Sequence, residues 1–169
     1  MGKRVLITYA TGAGSTQEVA QAVADALAAQ GLEPTVTRAQ DAGAASDYDA
    51  VVLGSAVRAG RWLPAATNWL STYRRELAEM PVALFAVCLS ACDDAKPEQL
   101  ETLRAYIATQ AEGLQLVDTA IFAGKLDYDK LSILLRGMLK LMRAPEGDHR
   151  NWQAIQNWAT QLAPRLGEA

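Results

Sequence analysis

Two stretches, AVVLGSA at 50–56 and PVALFAVCL at 81–89, are almost unbroken apolar runs of strand length. A strand with one wet face alternates polar and apolar residues. A run without alternation belongs to a strand covered on both faces, as in a parallel sheet held between helix layers. The flanking patterns agree with this. KRVLITY (3–9) is β-rich, and Val19, Val23 and Leu27 then recur at four-residue spacing beside Ala20 and Ala24, a helical stripe ended by Gly31. EPTVTRA (33–39) predicts a short strand before the first apolar run. Pro64 opens a helix with Ala66, Trp69, Leu70, Tyr73 and Leu77 on its apolar side, and Pro81 closes it. Leu100, Leu103 and Ile107 mark another helix, and QLVDTAIFAG (115–124) is a fifth strand. Leu131–Arg143 is helical in pattern, and after the turn APEG (144–147) a last helix carries Trp152, Ile155, Trp158, Leu162 and Leu166. Alternating strands and helices predict an α/β three-layer sandwich, with a five-stranded parallel sheet in the order 2-1-3-4-5. One helix, the penultimate, exceeds what the crossovers need.

With 169 residues, half of them apolar and 21% charged, the chain has the composition of one ordinary globular domain. A net charge of -3 argues against a phosphate-tracking nucleic-acid surface. No apolar run reaches the length that spans a bilayer and no secretory leader is evident, so the expected location is cytoplasmic. Cys88 and Cys92 are spaced for neither a redox pair nor a zinc set and are read as free thiols. With His149 the only histidine, no metal site is expected.

Sheets of this order bind ligands beyond the carboxyl ends of the strands, near the switch point between the first and third. Three loops meet there: 10–16, 55–62 and 89–94. The first, Thr11-Gly12-Ala13-Gly14-Ser15-Thr16, leads into a helix N-terminus, where unpaired N–H groups and the helix dipole favour an anion. No lysine occurs from Val5 to Leu32, which excludes a Walker-type loop and suggests a terminal phosphate held with no obligatory cation. Gly12-Ala13-Gly14-Ser15-Thr16-Gln17 lacks the last glycine of a dinucleotide fingerprint, although Arg38 keeps an NADP reading open. The pattern T/S-x-x-G-x-T fits residue by residue. An ordinary turn with Ser15 or Thr16 as N-cap fits equally well.

On VLITYATGAGSTQEVA (5–20) and VVLGSAVRAGRW (51–62) the chain resembles the flavodoxin family. The set GSAVRAGRW, AGKLDY, LLRGMLKLM and GDHRNW is similar, more narrowly, to its menaquinone-dependent protoporphyrinogen dehydrogenase branch. The resemblance implies one FMN-binding domain over residues 1–169, with an inserted amphipathic segment at about 127–148. It implies that Thr11, Gly12, Ala13, Gly14, Ser15 and Thr16 hold the FMN phosphate. Ser55, Ala56, Val57, Arg58 and Gly60 would line one side of the flavin ring, and Leu89, Ser90, Ala91, Cys92 and Asp93 the other. Ala10 stands where that branch tends to have serine. Arg58 replaces the aromatic that many short-chain flavodoxins stack on the ring, which leaves Trp62 as the nearest aromatic candidate. The implied activity is oxidation of a porphyrinogen with electrons passed to a quinone, as in heme biosynthesis. The alternative is an electron carrier with a protein partner and no turnover of its own.

Arg58 and Arg61, with no acid in their loop, would stabilise the reduced anionic ring and raise its potential. On a helical projection Leu131, Leu134, Leu135, Met138, Leu139, Leu141 and Met142 share one face of the penultimate helix, opposite Ser132, Arg136, Lys140 and Arg143. This basic amphipathic helix could pack on the domain, cover an apolar substrate or lie peripherally on the inner face of an anionic membrane. Arg61, Trp62, Arg136 and Lys140 are the candidate substrate contacts, with Lys125, Arg143 and Arg150 as further cations for porphyrinogen carboxylates. His149 and Cys92 are not expected to be catalytic, and a homo-oligomer is left open.

Overall fold

The computed structural model describes residues 2–91, 97–143 and 146–168. Strand β1 (Arg4–Ala10) runs through the loop at 11–14 into helix α1 (Ser15–Ala29). The stripe of α1 is fully buried, and Gly31, at φ 87°, takes the left-handed turn that lets Leu32 N–H donate to Leu27 O at 3.2 Å and close the helix. There follow β2 (Glu33–Arg38), β3 (Ala50–Arg58) and the two-residue β4 (Arg61–Trp62). Next come α2 (Pro64–Thr72), α3 (Arg74–Leu77), β5 (Pro81–Cys88), α4 (Pro97–Gln110) and β6 (Gln115–Ala123). The chain ends with β7 (Lys125–Leu126), α5 (Ile133–Leu141), β8 (Gly147–Asp148) and α6 (Trp152–Gly167).

The parallel sheet has the order β2-β1-β3-β5-β6, which is 2-1-3-4-5 when the long strands alone are numbered. Strand β4 is a short antiparallel return on the end of β3. Every residue of β5 is buried and so are the first six of β3, as unbroken apolar runs require, while β2 and β6 are half-exposed edges. Side chains alternate between two cores. Val5, Ile7, Val52 and Phe85 face α1 and α6, and Leu6, Leu53, Leu84 and Ala86 face α2, α3 and α4. Burial of each large side chain contributes roughly 1.5–3 kcal/mol. At Gly54 a side chain is excluded by packing, because its Cβ would lie 2.0 Å from Phe85 Cζ.

Two local features depart from the periodicity. The helix expected from Pro64 to Leu77 breaks at Tyr73 (φ -106°, ψ 15°), where Tyr73 ends α2 and precedes α3. The stripe is retained, since Ala66, Trp69, Leu70 and Leu77 are all buried. The second feature is α5. Its Ser132 caps the first turn by accepting from Leu135 N–H, yet no α5 residue is buried.

Candidate functional site

The carboxyl ends of β1, β3 and β5 bring together the loops at 11–14, 59–60 and 89–91. The first loop is held open by its own chemistry. Gly14 has φ 93°, a conformation that glycine adopts without penalty, and its N–H donates to Thr11 Oγ1 at 2.9 Å. Helix α1 therefore starts at Ser15 with Gly14 as N-cap, not with Ser15 or Thr16 as cap, and no side chain accepts from its first turn. Thr16 is 0% exposed and its hydroxyl has no partner among the described residues. Uncapped N–H groups and a sealed, unpaired hydroxyl at a helix N-terminus are chemistry that suits an anion. Ala13, Gly14 and Ser15 border a cleft of about 500 Å³ that Lys125 and Asp127 also line.

The second loop is a tight hairpin. Ala59 (φ 51°) and Gly60 (φ 74°) both take positive φ, as a two-residue turn between paired strands demands, so Gly60 has a structural role of its own. Ser55 is buried, and its hydroxyl accepts from Leu63 N–H at 3.0 Å while donating to Ala56 O at 2.8 Å. That side chain fixes the return of the hairpin. Ala56 and Val57 are half-buried and Arg58 and Arg61 are exposed. Trp62 lies inward: it is 4% exposed in the second core, edge-on to Tyr106 at 6.4 Å. Its ring is a core component and offers no open face for stacking. In the third loop, Leu89, Ser90 and Ala91 form a single 3-10 turn, with Leu89 and Ala91 half-buried. Cys92 and Asp93 lie outside the described residues. Cys88 is buried and forms no disulfide.

Arg38 does not point to a second phosphate, because its guanidinium pairs with Asp41 at 2.9 Å. Arg150 departs further from expectation. Its side chain is 4% exposed, bonds Asp148 through Nε at 2.8 Å and Nη2 at 2.6 Å, pairs with Glu18 of α1, and stacks 4.5 Å over Trp152. Hydrogen bonding from this guanidinium holds the Asp148 carboxyl at about 2, against an opposing contribution from partial burial. The same bond, with Glu18, raises Arg150 itself. Arg150 is thus a structural tie between the late segment and the first turn of α1, and no longer a free cation for a substrate. His149 Nε2 lies 3.3 Å from Glu146 O. Sequence reading missed the Arg150–Glu18 pair and the approach of Lys125 and Asp127 to the phosphate loop; the motif GDHRNW was the only signal for the former.

In α5 both faces are largely wet, since Ser132, Lys140 and Arg143 of the polar face are exposed along with most of the apolar one. Arg136 and the edge made by Leu135 and Leu139 are half-buried, and Lys140 Nζ sits 5.2 Å over the Tyr128 ring. Ile133, Leu134 and Leu141 are 87%, 86% and 85% exposed, with Met138 and Met142 beside them. No helix of the described residues is long and apolar enough to cross a membrane.

A parallel sheet in this order, with a first loop suited to an anion, is an α/β architecture of the kind that carries a flavin nucleotide at its switch point. The family model described as "Flavodoxin domain" matches residues 6–153, and the chain belongs to that family. Among curated relatives, protoporphyrinogen IX dehydrogenase (quinone) of Escherichia coli strain K12 is 27% identical over 173 residues, covering 95% of this chain and 94% of the relative. The Leishmania major protein of the same name is 26% identical over 174 residues, 95% of this chain and 74% of that one. Oxidised flavodoxin 1 from Bacillus cereus shares the fold at a TM-score of 0.60 and 14% identity, over 96% of this chain and 99% of its own. Family membership assigns FMN as the cofactor. The residues present fit it: the orphaned Thr16 hydroxyl, the uncapped first turn and the side-chain-free Gly12 and Gly14 suit a phosphate dianion.

Proposed function

We propose that this protein is an FMN-dependent dehydrogenase that oxidises a porphyrinogen and passes the electrons to a quinone. Bound FMN supplies two-electron redox chemistry, taking hydrogen equivalents from the donor and returning them to the acceptor. On this reading the whole chain is one flavin domain, and 127–148 is its substrate-facing elaboration. Thr11–Thr16 hold the phosphate, while Ala56, Val57 and the Arg58 backbone on one side and Leu89–Ala91 on the other flank the ring. Arg61 places positive charge near the ring, which favours the reduced anion and suits an acceptor of substrate electrons. Arg136, Lys140, Arg143 and Lys125 offer cations to the carboxylates of a porphyrinogen.

The observation that carries the reading is the bare apolar flank of α5, in a chain that the two dehydrogenase relatives named above match over 95% of its length. A shuttle has no use for an exposed greasy helix. An enzyme that handles an apolar tetrapyrrole and a lipid-borne quinone has two, because the same face can meet substrate or rest peripherally on the membrane. Anaerobic mixing of the FMN-loaded protein with a porphyrinogen, followed by a menaquinone analogue, tests this. Bleaching of the flavin band and its return on quinone addition are expected. If the porphyrinogen leaves the flavin oxidised while a reduced protein partner bleaches it, the protein is a carrier.

A further inference from the structure

The phosphate loop contains no lysine or arginine, yet three cations from distant parts of the chain surround it, and they differ in how far they are already engaged. Arg150 reaches Ser15 O and Glu18, but its charge is met by Glu18 and Asp148 together. Lys125 lines the cleft beside Ala13 and Gly14, but Asp127 lines it too and Asp148 is the cross-strand neighbour of Lys125. Arg58 differs from both. It projects from the end of β3, is exposed, and has no ion-pair partner among the described residues. Its Nη2 lies 3.0 Å from the point where a Cβ on Gly12 would stand, so the guanidinium rests against the backbone of the loop in the space a side chain would fill. The second mark of a ligand site is at the other end of the same loop, where the Thr16 hydroxyl is sealed and unsatisfied.

We propose that Arg58 supplies from β3 the cation that the phosphate loop lacks, and thereby makes the site select phosphorylated flavin over riboflavin. The inference rests on FMN being the cofactor and assigns one residue the charge recognition of its phosphate. A guanidinium suits the role, since its planar fork can bond two phosphate oxygens at once and stays charged at any physiological pH. Gly12 is then glycine for a reason beyond the turn: a side chain there would displace the guanidinium.

Dissociation constants for FMN and for riboflavin, from quenching of flavin fluorescence, test this in the unsubstituted protein, Arg58→Gln, Arg58→Lys and the control Arg104→Gln, whose charge is paired with Glu101 away from the loop. Arg58→Gln should weaken FMN about tenfold with riboflavin unchanged, and should flatten the salt dependence of FMN binding, because the lost interaction is charge-assisted. Arg58→Lys should keep part of the preference, and Arg104→Gln all of it. Equal losses for both flavins, or no loss for either, would overturn the assignment. If the unsubstituted protein binds neither flavin, the cofactor itself is wrong and the inference falls with it.

Discussion

A hydroxyl sealed from water without an acceptor costs about 1–3 kcal/mol, and Thr16 carries that cost at the mouth of α1. Replacing it by the near-isosteric valine removes the penalty from the flavin-free protein and the contact from the flavin-bound one. Thr16→Val should therefore leave the melting temperature of the apoprotein unchanged or higher, while weakening FMN about tenfold, roughly 1.4 kcal/mol. Thermal unfolding and fluorescence quenching measure the two effects separately. An unaltered FMN affinity would show that the hydroxyl faces elsewhere. The loop was legible in the sequence because T/S-x-x-G-x-T specifies local geometry. The cap was not, because Ser15 and Thr16 are both good caps, and only the φ of Gly14 decides that the helix begins after it.

At the scale of elements, the late segment is fastened at its base. The β7–β8 ladder pairs Lys125 with Asp148 and Leu126 with Gly147, His149 N–H donates to Gly124 O at 3.1 Å, and Arg150 carries the fastening across to α1. Since the folded carboxyl of Asp148 titrates at about 2 and an unfolded one at about 3.9, its contribution is complete above the higher value and disappears as pH falls through the lower. In Arg150→Gln that carboxyl should titrate close to 4, as followed by its NMR signal, and cleavage of the segment at 127–146 by a protease should quicken at neutral pH. An Asp148 that stays near 2 would mean that another donor holds it. This fastening was illegible in sequence for a plain reason: Arg150 and Glu18 are 132 residues apart, and no periodicity links them. The strands and most helices, by contrast, were specified by local pattern. The break at Tyr73 was not, because both halves keep the same buried stripe.

Across the whole molecule, a chain of net charge -3 holds one helix whose exposed apolar residues stand beside Arg136, Lys140 and Arg143. Periodicity found the two faces of α5, but the direction each faces is a tertiary outcome, set by half-burial of Leu135, Arg136 and Leu139. If the proposed peripheral contact holds, vesicles containing anionic lipid should pull the protein down in sedimentation, and Leu134→Glu with Leu141→Glu should lower the bound fraction at least about fivefold. Because both side chains are more than four-fifths exposed, the melting temperature should not move. Binding that survives the pair of substitutions would place the contact elsewhere. The two-residue ladder at the base of the segment has one more consequence. Its ends enter and leave the domain side by side, so what lies between Leu126 and Gly147 is a cassette: evolution could lengthen, shorten or exchange it to suit a new substrate without re-cutting the frame that holds the flavin.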